Sequence, residues 1–129
     1  MKTKKLIPLP KLLAKCQLVF NAYIRARDKD KGCISAHCRG QVEHAGHYFS
    51  QGHYSALRFD EVNVNGCCAK CNTFLHGNLI RYRQGLVARY GEQRVLMLES
   101  ASVRSVKKWE RFELQALIQH YQNELKKLN

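Results

Sequence analysis

Apolar residues recur at helical spacing near the start of the chain. From residue 6 to about residue 31 they follow steps of three and four, which is typical of the apolar stripe of an amphipathic helix. The stripe consists of Leu12, Leu13, Cys16, Val19, Phe20, Tyr23 and Ile24. Pro10 suits the beginning of this helix, and residues 28–32 suit its end. Because Cys16 lies on the stripe, we predict that it packs in the core and binds no metal.

The last third of the chain, residues 79–129, is also predicted to be helical. Leu79–Arg89 indicates a helix that ends near Gly91 in a left-handed cap, and Glu92–Leu98 indicates a short second helix. Trp109–Leu128 has the clearest stripe, and lysines near its end suit the helix dipole. Its apolar positions are Leu114, Leu117, Ile118, Tyr121, Leu125 and Leu128. We interpret these helices as scaffold whose basic faces can also contact phosphate.

The middle segment, residues 33–78, lacks a sustained period and carries most of the cysteine and histidine. Val42–Phe49 and Val62–Cys67 are candidate strands. The whole chain, residues 1–129, is therefore predicted to be one α+β domain. In this interpretation a helix over residues 6–31 and helices over residues 79–129 flank a small core at residues 33–78.

The charge balance points to a polyanionic partner. The chain carries 22 Lys and Arg against 10 Asp and Glu, a formal net charge of +12. Such a charge fits nucleic acid, either in a DNA-acting protein or in a ribosome-associated one. No apolar run is long enough to span a membrane, and prolines interrupt the run after the basic start, which argues against a signal peptide. We therefore expect a cytoplasmic protein.

Four of the six cysteines form two close pairs with the spacing of a zinc site. Cys33 and Cys38 make the first pair, and Cys68 and Cys71 make the second. Two such pairs separated by a loop predict a tetrahedral, structural Zn²⁺ site, and a reducing cytoplasm argues against disulfides. Cys67 could replace Cys68, and the neighbouring His37 could replace Cys38.

Between and after these pairs lies a His, Asn, Cys-x-x-Cys-Asn order that matches the HNH nuclease pattern. It predicts that residues 33–78 form a small zinc-stabilised ββα-metal (HNH) core. Phosphodiester hydrolysis needs a base that activates water and a cation that stabilises the leaving oxygen. We predict that His47 is the base and that Asn63 braces the loop that orients it. Asn72, His76 and His44 are the candidate ligands of a catalytic divalent ion. His76 would share a face with Asn72 if a helix begins around Cys71. His53 is assigned to a loop, as a DNA contact or surface residue.

Several blocks along the chain resemble one phage family. They are residues 20–28 (FNAYIRARD), 33–35 (CIS), 45–48 (AGHY), 57–59 (LRF), Asn63, 68–72 (CAKCN), 77–79 (GNL) and 82–83 (YR). Together they resemble the NinG (Rap) recombination proteins of lambdoid phages, over about residues 9–125. The resemblance implies a structure-selective endonuclease that processes Holliday junctions and displacement loops with Mg²⁺ or Mn²⁺. It also implies a phage or prophage protein in the cytoplasm of the bacterial host.

Three departures qualify this resemblance. Members of the family carry an additional basic, cysteine-rich N-terminal segment, and this chain starts after it. Many HNH sites have an Asp directly before the base, where it binds the metal, and the residue here is Gly46. The spacing from Cys33 to Cys38 is also one or two residues longer than in the tightest family version.

DNA, and by resemblance branched DNA, is the expected partner. We predict phosphate contacts by a set of cations near the motif: Arg58, Arg81, Arg83 and Lys70. A homodimer would suit a junction, because a junction presents two equivalent strands. Two alternatives remain open, namely an HNH nuclease of restriction or nicking type on ordinary duplex, and a non-catalytic zinc-knuckle DNA-binding protein.

Overall fold

The computed structural model describes residues 5–129, so the first four residues of the predicted domain lie outside it. These residues combine α-helices with a small antiparallel sheet, an α+β architecture. The main elements are α1 (Leu9–Asp28), β1 (His44–His47), β2 (Val64–Cys67), α2 (Leu79–Tyr90), α3 (Glu92–Ser102) and α4 (Arg111–Leu128). None of the helices in residues 5–129 is long and apolar enough to cross a membrane.

The helices differ from their predicted bounds mainly at their ends. The helix expected over residues 6–31 is shorter, because Pro8 and Pro10 set its first turn and a turn over residues 29–31 ends it. The helix α3 continues to Ser102, beyond the predicted end at Leu98. The last helix begins at Arg111, where Glu110 and Glu113 form a capping box. Gly91 is not the left-handed cap that was predicted, since its φ of 90° and ψ of 153° belong to a region that only glycine readily adopts.

The two strands form a hairpin that lies between two groups of helices. His44 pairs with Cys67 and His47 pairs with Val64, so both strands are shorter than predicted. One apolar cluster, shared by α1 and α4, includes Leu12, Cys16, Phe20, Ile24, Phe59, Val64, Leu114, Ile118 and Tyr121. The other, shared by α2, α3 and the cysteines, includes Cys33, Ile34, Leu57, Cys67, Cys68, Cys71, Tyr82, Leu86, Val95 and Leu98. Every residue of β2 is therefore buried.

The segment after β2 is not the continuous helix predicted to begin near Cys71. It forms one turn of π-helix, Lys70–Phe74, and then leaves the helical path. His76, Gly77 and Asn78 all have positive φ, at 50°, 90° and 50°. Three successive residues of this kind cannot continue a right-handed helix. As a result His76 does not share a helical face with Asn72.

A buried carboxylate connects the end of α1 to the hairpin. Asp28 is fully buried and accepts a hydrogen bond of 2.8 Å from the amide of Gly66 in β2. Arg27 donates two hydrogen bonds to the same carboxylate, at 2.7 and 2.8 Å, and a third to Asn65 at 3.1 Å. Although burial raises the pKa of Asp28, these bonds outweigh it and lower the pKa. The carboxylate is therefore ionised, and it holds α1 against β2.

Candidate metal centre and active site

The sulfur atoms of Cys33, Cys38, Cys68 and Cys71 lie within 4.8 Å of one another. Cys38 Sγ is 3.8 Å from both Cys68 Sγ and Cys71 Sγ. Zn–S bonds of about 2.3 Å in a tetrahedral site place the sulfurs about 3.8 Å apart. The four cysteines therefore form a cluster that can bind a metal ion such as zinc.

Local backbone geometry prepares this cluster for an ion. The amides of Gly40 and Cys71 donate to the sulfurs of Cys38 and Cys68, each at 3.4 Å, and Asn78 donates to Cys71 Sγ at 3.6 Å. Although burial raises the pKa of Cys71, hydrogen bonds to its sulfur outweigh that effect and lower it to about 7. The pKa of Cys68 is instead raised, to about 12, chiefly by burial, and that of Cys38 is raised as well, so Cys71 is the thiol that most readily supplies the thiolate a metal binds.

The remaining candidate ligands lie outside the cluster. Cys67 is buried against Gly46, and its sulfur is not part of the four-sulfur group. His37 is exposed in a left-handed conformation, and Cys38 joins the cluster in its place. Cys16 is 1% exposed and packs in the α1 and α4 core, as predicted.

His47 lies at the end of β1 and is half-buried. Its Nε2 is 3.1 Å from the backbone carbonyl oxygen of Arg58. Burial lowers the pKa of His47, and the nearby Arg58 charge acts in the same direction, whereas the hydrogen bond opposes them. The imidazole is consequently neutral near pH 7, and its Nε2 proton points to a carbonyl.

Asn63 closes the loop that supplies this carbonyl. It is fully buried directly before β2, and its amide nitrogen donates to the carbonyls of Phe49 and Leu57, each at 3.0 Å. Its amide oxygen accepts the backbone N–H of Phe49 at 2.8 Å. The structure therefore joins residues 49, 57 and 63 through one side chain, and Arg58 follows Leu57 directly.

The three predicted ligands of a catalytic ion come together only in part. Asn72 and His44 meet, with 3.0 Å between Asn72 Nδ2 and His44 Nδ1. Gly46 lies beside this pair and adds no side chain. His76 is exposed in the left-handed turn after the π-helical turn. Among residues 5–129, the four cysteines are the one group of three or more His, Cys, Asp or Glu side chains placed to hold a metal.

Comparison with known proteins relates the complete chain to a phage family. The sequence model described as "Bacteriophage Lambda NinG protein" matches residues 1–129. The chain belongs to the NinG family. It is 37% identical over 131 residues to "Protein ninG" of Escherichia phage 933W, and 36% identical to that of Escherichia phage lambda. Each alignment covers 99% of this chain and 64% or 63% of the relative, so the chain spans less than two thirds of these relatives. No solved structure matches the chain.

The four cations predicted to bind DNA differ from one another in their exposure and in their ion pairs. Lys70 and Arg81 are exposed. Arg58 is half-buried and donates to Gln17 at 2.8 Å. Arg83 forms ion pairs with Glu99 at 2.9 Å and Glu92 at 3.1 Å. Only Lys70 and Arg81 therefore present side chains with little protein around them.

The predicted loop residue His53 also lies at the surface. It occupies an exposed turn, where its Nδ1 is 3.1 Å from Ser50 Oγ. Its assignment as a surface residue agrees with this position, and a contact with DNA stays a prediction.

Sequence reasoning missed Tyr82, which supports the backbone beside His47. The ring is buried in α2, and its hydroxyl donates to the carbonyl of Gly46 at 2.7 Å and accepts from Asn65 at 3.2 Å. Its position four residues before Leu86 could have indicated a buried face of a NinG helix. No local pattern could have indicated its partners, because they lie 36 and 17 residues away.

Proposed function

We propose that this NinG-family chain is a metal-dependent DNA endonuclease of the HNH type that acts on branched recombination intermediates. The observation that carries the proposal is the hydrogen bond between His47 Nε2 and the carbonyl of Arg58, within a loop closed by Asn63. It fixes a neutral imidazole in one orientation and one tautomer. An unoriented surface histidine would have neither property.

The proposed role of His47 follows from which of its two ring nitrogens carries the proton. A carbonyl accepts but cannot donate, so Nε2 carries the proton and Nδ1 keeps its lone pair. This lone pair can remove a proton from a water molecule as that water attacks a phosphodiester. Burial lowers the pKa of His47, which keeps the base in its neutral form at physiological pH.

His44 and Asn72 are the residues that would hold the divalent ion, Mg²⁺ or Mn²⁺. An imidazole nitrogen and an amide oxygen are both donors to divalent ions, and such an ion can complete its shell with waters and substrate phosphate. When bound, it would supply positive charge to the phosphate and to the leaving oxygen. In the structure the Asn72 amide nitrogen faces His44 Nδ1, so the Asn72 oxygen would have to turn toward the ion, and water and substrate phosphate would supply the ligands that Gly46 does not.

The substrate class rests on charge and on family resemblance. The net charge of +12 favours a polyanion, and exposed Lys70 and Arg81 lie close in sequence to Asn72 and to α2. The choice of branched DNA as the substrate rests on the resemblance to recombination proteins of lambdoid phages. The same site could also cut ordinary duplex, and the experiment below separates the two substrates.

One observation favours a second function, a DNA-binding protein without catalysis. Within residues 5–129, His44 and His76 do not join any group of three His, Cys, Asp or Glu side chains around a common point, whereas the four cysteines do. A protein that binds zinc through these cysteines and DNA through its basic surface needs no second metal. Such a protein would have no use for the oriented imidazole of His47.

Cleavage of matched substrates tests the proposal. The zinc-loaded protein and its His47→Ala variant would be incubated with labelled four-way junction and linear duplex, with Mg²⁺, with Mn²⁺ and with EDTA. We expect metal-dependent cutting of the junction, little cutting of the duplex and no cutting by the variant, which still binds. Equal cutting of both substrates would retain the nuclease and reject the selectivity. Binding without cutting would support the second function.

A further inference from the structure

A cavity of about 370 Å³ opens between the residue after β1 and the first turns of α2. Tyr48, which follows His47 in the chain, lines one part of it, and Leu79, Ile80, Arg83 and Gln84 of α2 line the rest. Its volume lies in the range of about 300–1,000 Å³ found for small-ligand sites. An aromatic ring, aliphatic side chains and two hydrogen-bonding groups are the lining that a flat heteroaromatic ligand requires.

The cavity is held in shape by contacts behind it. The ring of Tyr48 stacks on buried Tyr82, with centroids 5.4 Å apart and an interplanar angle of 30°. Glu99 of α3 accepts two hydrogen bonds from Arg83, at 2.9 and 3.0 Å, and one from the Tyr48 hydroxyl at 3.4 Å. A single carboxylate therefore orients both the aromatic and the cationic side chain of the cavity. A ligand would lose little free energy in ordering these side chains, because they are already held in place.

The charge of the cavity suits a base better than a phosphate. Glu99 and Glu92 pair with Arg83, which leaves little free positive charge inside. Exposed positive charge lies close by in the sequence, at Lys70 before α2 and at Arg81 in its first turn. Residues 69–91 contain no Asp or Glu. A partner that brings phosphates to these cations and a neutral ring to the cavity matches both surfaces at once.

We propose that this cavity binds an unpaired nucleobase and that it favours intermediates with a displaced single strand, such as displacement loops, over fully paired DNA. This inference rests on the proposed function, and it names the feature of the substrate that is recognised. In a continuous duplex every base is stacked and paired, whereas an unpaired base needs little energy to leave the helix. Tyr48 and the aliphatic side chain of Ile80, which is 79% exposed, offer the stacking and apolar surface that the base requires.

Binding to a duplex with one unpaired base tests this assignment. The probe is a duplex that carries one bulged 2-aminopurine, compared with the same duplex fully paired. The zinc-loaded protein would be titrated without added Mg²⁺ or Mn²⁺, so that no strand is cut. Ile80→Ser removes an exposed apolar wall of the cavity with little effect on folding. Leu18→Ser is the matched control, because Leu18 is also helical and is 71% exposed on α1.

We expect the wild type and Leu18→Ser to bind the bulged duplex about tenfold more tightly than the paired one, with a change in 2-aminopurine fluorescence. Ile80→Ser should lose most of this preference and keep its affinity for the paired duplex. Equal affinity of the wild type for both probes would overturn the proposal, as would an equal loss on both by Ile80→Ser. A dimer that Ile80→Ser dissociates in sedimentation would also overturn it, because a second copy would then cover the cavity.

Cleavage in the same preparations distinguishes this proposal from the nuclease proposal. A preference for the bulged duplex without metal-dependent cutting of any substrate would retain the base site and reject the nuclease. Metal-dependent cutting of the junction without that preference would retain the nuclease and reject the base site.

Discussion

Gly46 lies so close to Cys67 that a Cβ atom at residue 46 would be 2.6 Å from Cys67 Sγ. Under the proposed HNH function, a metal-binding Asp would be expected at this position. In this fold the space that such a side chain needs is filled by the Cys67 thiol and by Asn72, whose Oδ1 would lie 3.2 Å from the same Cβ. The glycine therefore follows from the packing of β2 and the π-helical turn against β1.

This contact predicts a specific energetic coupling. Gly46→Ala should lower the free energy of unfolding by about 1–3 kcal/mol, because the new methyl group overlaps Cys67 Sγ. In a Cys67→Ala background the same change should cost much less, since the overlapping atom is gone. Urea unfolding of the wild type, both single variants and the double variant measures the coupling. Simple additivity of the two costs would show that Gly46 is required for another reason.

Loss of one cluster cysteine should remove the metal and much of the stability. Cys71→Ser should release bound zinc and lower the melting temperature by at least about 10 °C, because metal binding contributes directly to folding. Zinc content by colorimetric titration and thermal unfolding by circular dichroism measure both effects. Cys67→Ser is the control, since Cys67 lies outside the cluster, and it should retain its zinc. Retention of zinc by Cys71→Ser would argue against the cluster as the zinc site.

The lowered pKa of His47 predicts how stability depends on pH. Because burial lowers the pKa in the folded state, the unfolded chain binds more protons when the pH falls below the usual value of about 6.5. The stabilisation is therefore complete above that value and is lost as the pH falls through the folded pKa. Unfolding free energies from pH 4 to 8 should show this slope for the wild type, and His47→Gln should reduce it. Cleavage should decrease over the same acidic range.

Asn63 should act on catalysis through position. Asn63→Ala leaves two carbonyls and one amide without their partner, so we expect a loss of about 2–4 kcal/mol in stability. The cleavage rate at saturating DNA should fall, because the loop would no longer hold the His47 ring in one orientation. DNA affinity should stay near that of the wild type. NMR of the His47 ring nitrogens reports the tautomer. An unchanged tautomer and rate in a folded variant would show that Asn63 only stabilises the loop.

His44 and Asn72, the two candidate ligands that contact each other, should affect cleavage more than His76, the third candidate ligand. His44→Ala and Asn72→Ala should each lower cleavage and raise the Mn²⁺ concentration needed for half-maximal rate. His76→Ala tests whether this exposed turn residue is also a ligand, and from its position we expect a smaller effect. Titration of Mn²⁺ against cleavage rate compares the three. A defect in His76→Ala as large as that in Asn72→Ala would mean that the turn closes around the ion.

Local patterns predicted those parts of the fold that depend on nearby residues. The stripe from Leu12 to Ile24 predicted α1, and the stripe from Leu114 to Tyr121 predicted α4, because a helix repeats its contacts every three to four residues. The cysteine spacing predicted the four-sulfur cluster, since a chelate depends on short loops between its ligands. The candidate strands at 42–49 and 62–67 contain β1 and β2, although His47 lies at the end of β1 and Asn63 directly before β2, whereas both were expected inside the strands.

Other features depend on partners that are distant in sequence. The left-handed turn at His76–Asn78 replaces the helix that the HNH pattern predicted to begin near Cys71, and Asn78 there donates to Cys71 Sγ. Arg83, one of the predicted phosphate contacts, instead forms an ion pair between two helices with Glu99. Such pairings arise only when the elements pack together, so no window of the sequence contains them.

The carboxylate of Asp28 has a consequence for any attempt to transplant the motif. Residues 33–78 contain the cysteines, His47 and Asn63, yet the amide of Gly66 in their second strand is capped by a side chain outside that segment. Grafted alone onto another scaffold, the segment would expose Val64 and leave this amide without its acceptor. The shortest segment expected to keep its structure in another scaffold therefore starts upstream of Asp28 and includes α1.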